Sequence, residues 1–206
     1  SIVSMSSLSR GRAAFVQREL PEDHPWQKLD FLCGDVNTSI IRTRAGRTIL
    51  VQWDETTPRP YNRKNMIAGT QGVLAGFPTR VAGEHLSPPP VPADDSCGGS
   101  SGEDCCQWYM GAEAEADLFA RYEHPLYARL GDEMARNGGM DFIMLSRVIE
   151  CLHRGEPLDQ NVYEGAFWSA VGPLSEKSVS QGGAPQHFPD FTRGDWRNTP
   201  PLGIVN

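Results

Sequence analysis

The fold is decided by the stretch Asn37-Thr38-Ser39-Ile40-Ile41-Arg42-Thr43-Arg44-Ala45-Gly46-Arg47-Thr48-Ile49-Leu50-Val51-Gln52-Trp53-Asp54. In its second half, the apolar residues Ile49, Val51 and Trp53 occupy every other position. This period of two is typical of a strand with two unlike faces. The Ala45-Gly46 pair between the halves supplies a tight turn. The stretch therefore predicts an antiparallel hairpin.

Further sheet signals lie on both sides of this hairpin. A strand is predicted near residues 1–7, and a second hairpin is predicted from 65–68 and 72–77, joined by the Gly69-Thr70-Gln71-Gly72 turn. A short helix over Arg12–Glu19 is expected to link the first two strands. We expect these strands to form one antiparallel meander.

Residues 86–106 have a different composition. They run from Leu86-Ser87-Pro88-Pro89-Pro90 into an acidic stretch that is rich in glycine and serine. Such a segment buries too little apolar surface to offset its ordering entropy, so it predicts a mobile surface loop.

The sequence after this loop predicts helices. Two modest ones are expected over Ala112–Ala120 and Leu126–Ala135. A stronger helix, N-capped by Asp141, is expected to end at Arg154-Gly155. Its apolar residues share one stripe, which we expect to be buried: Phe142, Leu145, Ile149 and Leu152.

The last part of the chain predicts one more helix and a tail. The helix runs from Val162 to about Val179, with a kink at Gly172-Pro173. The tail from Gln181 onward is expected to pack as an extended strap, through Phe188, Phe191 and Trp196. Together these elements predict an α+β fold, mostly antiparallel sheet with helices on one face.

Composition narrows the class of protein. A chain of 206 residues with 39% hydrophobic and 22% charged residues predicts one folded domain over 1–206. A net charge of -7 argues against a nucleic-acid partner, since phosphate contacts need a basic face. No apolar stretch approaches the roughly 18 residues that span a bilayer, so no membrane association is expected. The chain opens without an initiator Met or a signal peptide, which favours the C-terminal part of a longer protein.

Motifs for catalysis and cofactor binding are missing from the sequence. There is no G-x-G-x-x-G after a strand, no phosphate-binding P-loop, no H-E-x-x-H and no G-x-S-x-G. The five cysteines are scattered and are interpreted as free thiols, and the dispersed histidines are interpreted as surface or structural residues. We therefore expect no catalytic residue, no cofactor-binding residue and no metal site in this chain.

One stretch combines polar and aromatic side chains on a constrained backbone: Thr56-Thr57-Pro58-Arg59-Pro60-Tyr61-Asn62-Arg63. Two prolines fix φ and stiffen the loop, which suits presentation of Tyr61 to a ligand. Tyr61 could equally pack its ring against a neighbour, and pattern alone leaves both readings open. Trp53, Asp54 and Arg59 lie nearby, and such aromatic and planar charged groups are common in sugar-binding clefts.

Seven motifs occur in the same order in glycoside hydrolase family 109, which the chain resembles over nearly its whole length outside 86–106. They begin at Gly34, Gly46, Thr57, Tyr122, Gly138, Pro157 and Pro189, and read GDVNT, GRTI, TPRPY, YEHPL, GGMDF, PLDQNVY and PDFTRG. This family includes the NAD-dependent α-N-acetylgalactosaminidases and belongs to the Gfo/Idh/MocA oxidoreductase superfamily.

The resemblance implies the C-terminal domain of a two-domain enzyme. The NAD-binding Rossmann domain and a Tyr-Pro-x-His segment would precede Ser1 and are absent from this chain. The tyrosine of the R-P-Y motif carries over as Tyr61, which is then a substrate-binding residue. The chain departs from the family at Asn137, where a histidine is usual, and this puts the local loop geometry in doubt.

The resemblance also implies a reaction and an assembly. Bound NAD would oxidise the sugar at C3, the C1 leaving group would depart by elimination, water would add, and the cofactor would return hydride to C3. The substrate would carry terminal α-N-acetylgalactosamine, and the chain alone would be inactive. The superfamily implies a homo-oligomer formed through the sheet. Two alternatives stay open: a sugar oxidoreductase of the same superfamily, and a non-catalytic, free-standing assembly domain.

Overall fold

A computed structural model describes residues 1–60, 62–83 and 108–199. Tyr61 and the predicted loop at 86–106 lie outside these residues. The described residues divide into two compact units, the first formed by 1–59 with 145–199 and the second by 60, 62–83 and 108–144. The expectation of a single domain over 1–206 stays a prediction.

The first unit is built on a three-stranded antiparallel sheet in the order β1-β2-β3. Its strands are β1 Ile2–Ser6, β2 Val36–Arg42 and β3 Thr48–Asp54. The predicted hairpin is therefore confirmed, with Ile41 opposite Ile49 and Ser39 opposite Val51. The predicted linking helix is confirmed as α1 Gly11–Glu19, followed by a 3-10 turn over Pro25–Lys28.

The two faces of this sheet differ in what covers them. Ile2, Ser4 and Ile41 point to one face and are buried. On this face, the Ser4 and Ser39 hydroxyls lie 2.7 Å apart. At the outer edge of β1, the backbone N–H of Ser4 donates to Ser178 Oγ at 2.9 Å, and Ile2 pairs with Gln186, which attaches helix α6 and the tail to this strand.

The opposite face carries apolar side chains that remain exposed. Val3 lies opposite Ile40, and Ile40 lies opposite Leu50, so the three side chains form a row across the strands. Met5 extends the same surface, and all four side chains are exposed. This open sheet face is defined by Val3, Met5, Ile40 and Leu50.

Helix α4 differs from its prediction in two ways. It spans Met140–Arg154, so Asp141 lies in the first turn and the predicted N-cap at that residue is wrong. The expected buried stripe is also wrong, because Leu145, Ile149 and Leu152 are exposed. The buried residues of α4 are Arg147 and Cys151. The charged Arg147 side chain can be buried because the carboxylates of Glu150 and Asp159 neutralise its guanidinium.

The predicted kinked helix is two helices, α5 Val162–Ser169 and α6 Val171–Ser180. Asn161 and Glu164 form a capping box that starts α5. Pro173 lies in the first turn of α6, where its missing N–H removes no helical hydrogen bond. One helix therefore ends and the next begins before the proline. The tail then pairs Gln186 with Ile2, and the ring centroids of Phe188 and Phe167 lie 4.8 Å apart, as expected of a strap. The expected packing of Phe191 and Trp196 is wrong, because both side chains are exposed.

The second unit contains a four-stranded antiparallel sheet in the order β4-β5-β6-β7, with the predicted second hairpin at its first pair. Helix α3 begins at Pro125, and His124 Nδ1 accepts the backbone N–H of Leu126 at 3.2 Å to cap it. The elements of this unit are β4 Met66–Ala68, β5 Gly72–Ala75, β6 Arg80–Gly83, β7 Tyr109–Met110, α2 Ala112–Tyr122 and α3 Pro125–Arg136.

Antiparallel sheets with helices confirm the predicted α+β class. The expected single meander is wrong, because the described strands form two separate sheets rather than one. The stretch between β3 and β4 contains Pro58 and Pro60. Proline has no N–H to donate to a sheet ladder, so this stretch is a loop and not a continuing strand.

Candidate functional site

The loop that follows β3 is held in shape by its own side chains. Asp54 accepts hydrogen bonds from the backbone N–H and the hydroxyl of Thr57, at 3.2 and 2.6 Å. The guanidinium Nη2 of Arg59 lies 2.9 Å from Asp54 Oδ2. We call Asp54, Thr57 and Arg59 the Asp54 cluster. It fixes the loop up to Pro60, the last described residue before Tyr61.

The electrostatics of this cluster keep Asp54 ionised. The hydroxyl hydrogen bond of Thr57 lowers the pKa of Asp54 most, and the Thr57 backbone N–H and the Arg59 charge lower it further. Arg59 neutralises this charge. Because the Asp54 side chain is only 4% exposed and that of Arg59 is 34% exposed, Arg59 is the member of the pair that remains accessible.

The base of the loop is attached to helix α1. Glu55 forms an ion pair with Arg12. Thr56 packs against Gly11 so closely that a Cβ at Gly11 would lie 2.9 Å from the Thr56 Cβ. Glycine at position 11 therefore allows the close approach of helix and loop.

The start of helix α1 is capped by a residue distant in sequence. Asp35 accepts the backbone N–H of Arg10 at 2.8 Å and that of Gly11 at 2.9 Å. These bonds, Gly11 first, lower the pKa of Asp35. A carboxylate at the positive end of a helix is stabilising, so Asp35 fixes where α1 begins.

Of the residues singled out from the sequence, the structure brings Asp54 and Arg59 together. Trp53 is exposed at the end of β3, on the sheet face opposite that of Leu50. Tyr61 lies outside the described residues. Sequence reasoning missed Arg12, Asp35 and Glu55 as parts of this region. The available signal was the Gly34-Asp35 motif. Because β1 and β2 are antiparallel, a carboxylate just before β2 lies beside the end of β1, where α1 begins.

The histidines and cysteines that the structure describes include two clear structural cases. His24 Nδ1 accepts the backbone N–H of Trp26 at 3.2 Å and caps the 3-10 turn, as His124 caps α3. Cys33 is exposed and Cys151 is buried, and both are free thiols as predicted. Within 1–60, 62–83 and 108–199, no three side chains of His, Cys, Asp or Glu are grouped to hold a metal ion.

The described residues do not fit a dinucleotide. A pyrophosphate needs free backbone N–H groups at a glycine-rich turn between a strand and a helix. At the turn between β1 and α1, the Asp35 carboxylate already takes these N–H groups. At the turn between β7 and α2, Glu113 and Glu115 lie in the first helical turn and repel an anion.

None of the helices in the described part is long and apolar enough to cross a bilayer.

Comparison with known proteins identifies the class. The family model for the C-terminal domain of glycosyl hydrolase 109 matches residues 1–198. The chain is 59% identical over 207 residues to glycosyl hydrolase family 109 protein 1 of Akkermansia muciniphila, covering 99% of this chain and 40% of that protein. It is 51% identical to protein 2 of the same organism, covering 100% and 41%, and 51% identical to the family 109 protein of Shewanella amazonensis, covering 98% and 41%.

These matches, with the α+β fold, place the chain among the carbohydrate-active hydrolase families. The chain belongs to glycosyl hydrolase family 109 and is its C-terminal domain. It spans about two fifths of the length of the curated relatives it matches.

Proposed function

We propose that this chain is the substrate-side domain of an NAD-dependent glycosidase that acts on terminal α-N-acetylgalactosamine. The reaction is the route of oxidation at C3, elimination, addition of water and re-reduction. The observation that carries the proposal is the fixed loop Asp54–Pro60 in a chain of family 109, since this loop leads directly to Tyr61. The domain's task is to orient the sugar ring, which lowers the entropic part of the barrier.

Within this proposal, Tyr61 binds the sugar and the Asp54 cluster holds the loop that presents it. The Arg59 guanidinium pairs with Asp54, and the Arg59 backbone N–H donates to the carbonyl oxygen of Thr57 at 2.8 Å, so little freedom is left to the residues before Tyr61. A loop ordered before binding loses less entropy when substrate arrives.

The cofactor is assigned to residues outside this chain, and the isolated chain is proposed to be inactive. Hydrolysis by two carboxylates needs one carboxyl group that is protonated near neutral pH. The pKa of Asp54 is lowered, so Asp54 does not suit the role of general acid.

The test has two arms. Calorimetric titration of the 206-residue chain with NAD, beside an assay with a chromogenic α-N-acetylgalactosaminide, is expected to show neither binding nor turnover. Micromolar NAD affinity or measurable turnover would overturn the proposal that cofactor binding and catalysis need residues outside this chain.

In the protein expressed from the full open reading frame, Tyr61→Phe is expected to slow turnover while NAD stays bound. The matched control is Tyr163→Phe on α5, which should leave turnover unchanged.

We also propose that the chain forms homo-oligomers through the open sheet face. Val3, Ile40 and Leu50 present a continuous apolar row, and sheets with one uncovered apolar face are commonly covered by a partner. Light scattering of the chain at about micromolar concentration checks this, since typical stable interfaces persist there. Leu50→Glu should yield monomers, while Ile49→Glu, which places the charge on the other face, should not. A monomeric unmodified chain contradicts the proposal.

A further inference from the structure

A groove of about 400 Å³ lies beside helix α1 in the first unit. Three aromatic rings line it from separate segments: Phe15 on α1, Trp26 in the 3-10 turn and Phe31 in the connection to β2. Phe15 and Trp26 are 49% and 51% exposed, so each keeps surface available to a ligand. The volume falls within the range of roughly 300–1,000 Å³ typical of ligand pockets.

The polar wall of the groove is formed by Arg12, Glu55 and Thr56. Arg12 and Glu55 are paired with each other, and their side chains are 35% and 44% exposed. A guanidinium has five N–H donors and a carboxylate about four acceptor positions, so the pair retains unused donors and acceptors toward the groove. Aromatic faces on one side and directional polar groups on the other define an amphipathic ligand site.

The charge of the groove selects against ionic ligands. Arg12 and Glu55 offset each other, and the N–H groups at the start of α1 are already taken by Asp35. The charge of Arg12 is offset by Glu55 and that of Glu55 by Arg12, so the polar wall carries no net charge that would favour an anion or a cation. A neutral ring with an apolar face and hydroxyl groups at its edge, as in a pyranose, matches both walls.

The groove adjoins the loop described above. Its polar wall includes Glu55 and Thr56, which begin the segment that continues to Pro60 and Tyr61.

We propose that this groove is a second carbohydrate subsite, which binds a further, uncharged sugar residue of the substrate. This inference rests on the proposed function for the identity of the substrate. Phe15 and Trp26 would stack on the sugar ring, and Arg12 and Glu55 would hydrogen-bond to its hydroxyl groups. The groove would then set which glycan, and not which terminal sugar, the protein prefers.

The test measures binding, and not activity, on the 206-residue chain. The probes are methyl α-galactopyranoside and methyl α-N-acetylgalactosaminide, titrated to about 50 mM because single-ring ligands bind weakly. Ligand-observed NMR and tryptophan fluorescence report the interaction. Trp26→Ala and Phe15→Ala are each expected to weaken binding of at least one probe by about tenfold. Trp26→Phe, which keeps an aromatic face, should retain most of the affinity.

Controls separate this groove from Tyr61. Trp168→Ala removes an exposed indole on α5, outside the groove, and should leave binding unchanged. Circular dichroism confirms that each variant is folded. Binding that is lost in Tyr61→Phe but unchanged in Trp26→Ala and Phe15→Ala overturns the groove proposal and leaves the proposed function standing. Absence of binding by the unmodified chain up to the highest concentration also overturns it. Binding lost only in the groove variants supports the groove, whatever the turnover assay shows.

Discussion

Two arginine–carboxylate clusters of the first unit use the same chemistry for different purposes. In the Arg147 cluster, Arg147 donates two hydrogen bonds to Asp159, at 2.9 and 2.8 Å, and a third to Glu150 at 2.7 Å. In the Asp54 cluster, Arg59 makes one contact with Asp54 at 2.9 Å. The Arg147 side chain is 10% exposed and that of Arg59 is 34% exposed. The Arg147 cluster is a multiply hydrogen-bonded, largely buried contact within the unit, whereas the Asp54 cluster holds a surface loop through a single ion-pair contact.

The difference follows from geometry and solvent. A two-point fork between guanidinium and carboxylate fixes both distance and plane, and burial strengthens it. It ties helix α4 to the segment that leads into α5, so it joins two helices of the unit. A single contact fixes less of this geometry than a fork does. Although the Asp54 side chain is only 4% exposed, Arg59 remains partly in water, so this pair contributes less.

The largest expected effect comes from removing the buried arginine. Arg147→Ala should lower the free energy of unfolding by about 2–3 kcal/mol, because Glu150 and Asp159 lose the charge that compensates them. This is less than for a fully buried pair, since Asp159 keeps some exposure to water. Urea denaturation followed by circular dichroism measures the change.

The matched control is Arg154→Ala on the same helix. Arg154 also contacts Glu150, at 2.7 Å, but its side chain is 56% exposed. Its removal should cost about 0.5 kcal/mol or less. Equal losses in the two variants would show that the Arg147 cluster has no special role in holding the unit together.

The Arg147 cluster also shows where sequence prediction stops. The β2–β3 hairpin could be predicted because its period of two and its turn are local signals. The burial of Arg147 could not, since periodicity assigns an arginine to the outside and Asp159 is twelve residues away. Likewise, the spacing of Leu145, Ile149 and Leu152 shows that they share a face. It does not show what covers that face, and they are exposed.

The candidate site was predictable to a similar degree. Asp54 and Arg59 could be grouped from the sequence, because they lie five positions apart and a short loop joins them. The aromatic groove could not, because Phe15, Trp26 and Phe31 lie on three separate segments that come together only in the folded chain.

A second, smaller effect is the pH dependence of the Arg147 cluster. Hydrogen bonds from Arg147 lower the pKa of Asp159 below its usual 3.8, and Glu150 shares the same guanidinium. A carboxyl group whose pKa is lowered by folding stabilises the protein above its unfolded pKa, and this contribution is lost as pH falls through the folded pKa. Asp159→Asn should therefore destabilise the chain most at pH 6, with a smaller difference from the unmodified chain well below pH 3.8. Urea midpoints at both pH values measure it, and a difference that grows in acid contradicts the assignment.

The smallest expected effect is local and concerns the Asp54 cluster. Asp54→Asn removes the charge that Arg59 pairs with and weakens the bonds from Thr57, but it leaves the sheet pairing of β3 intact. The urea midpoint should change little, while amide hydrogen exchange at Thr57 and Arg59 should become faster by about an order of magnitude. Asp190→Asn is the control, because Asp190 accepts the same two bonds from Thr192 in the tail, at 3.1 and 2.7 Å. It should speed exchange at Thr192 and leave Thr57 unchanged. If Asp54→Asn leaves both loop amides as protected as before, the cluster does not hold the loop, and the support for Tyr61 as a residue presented on a fixed loop is lost.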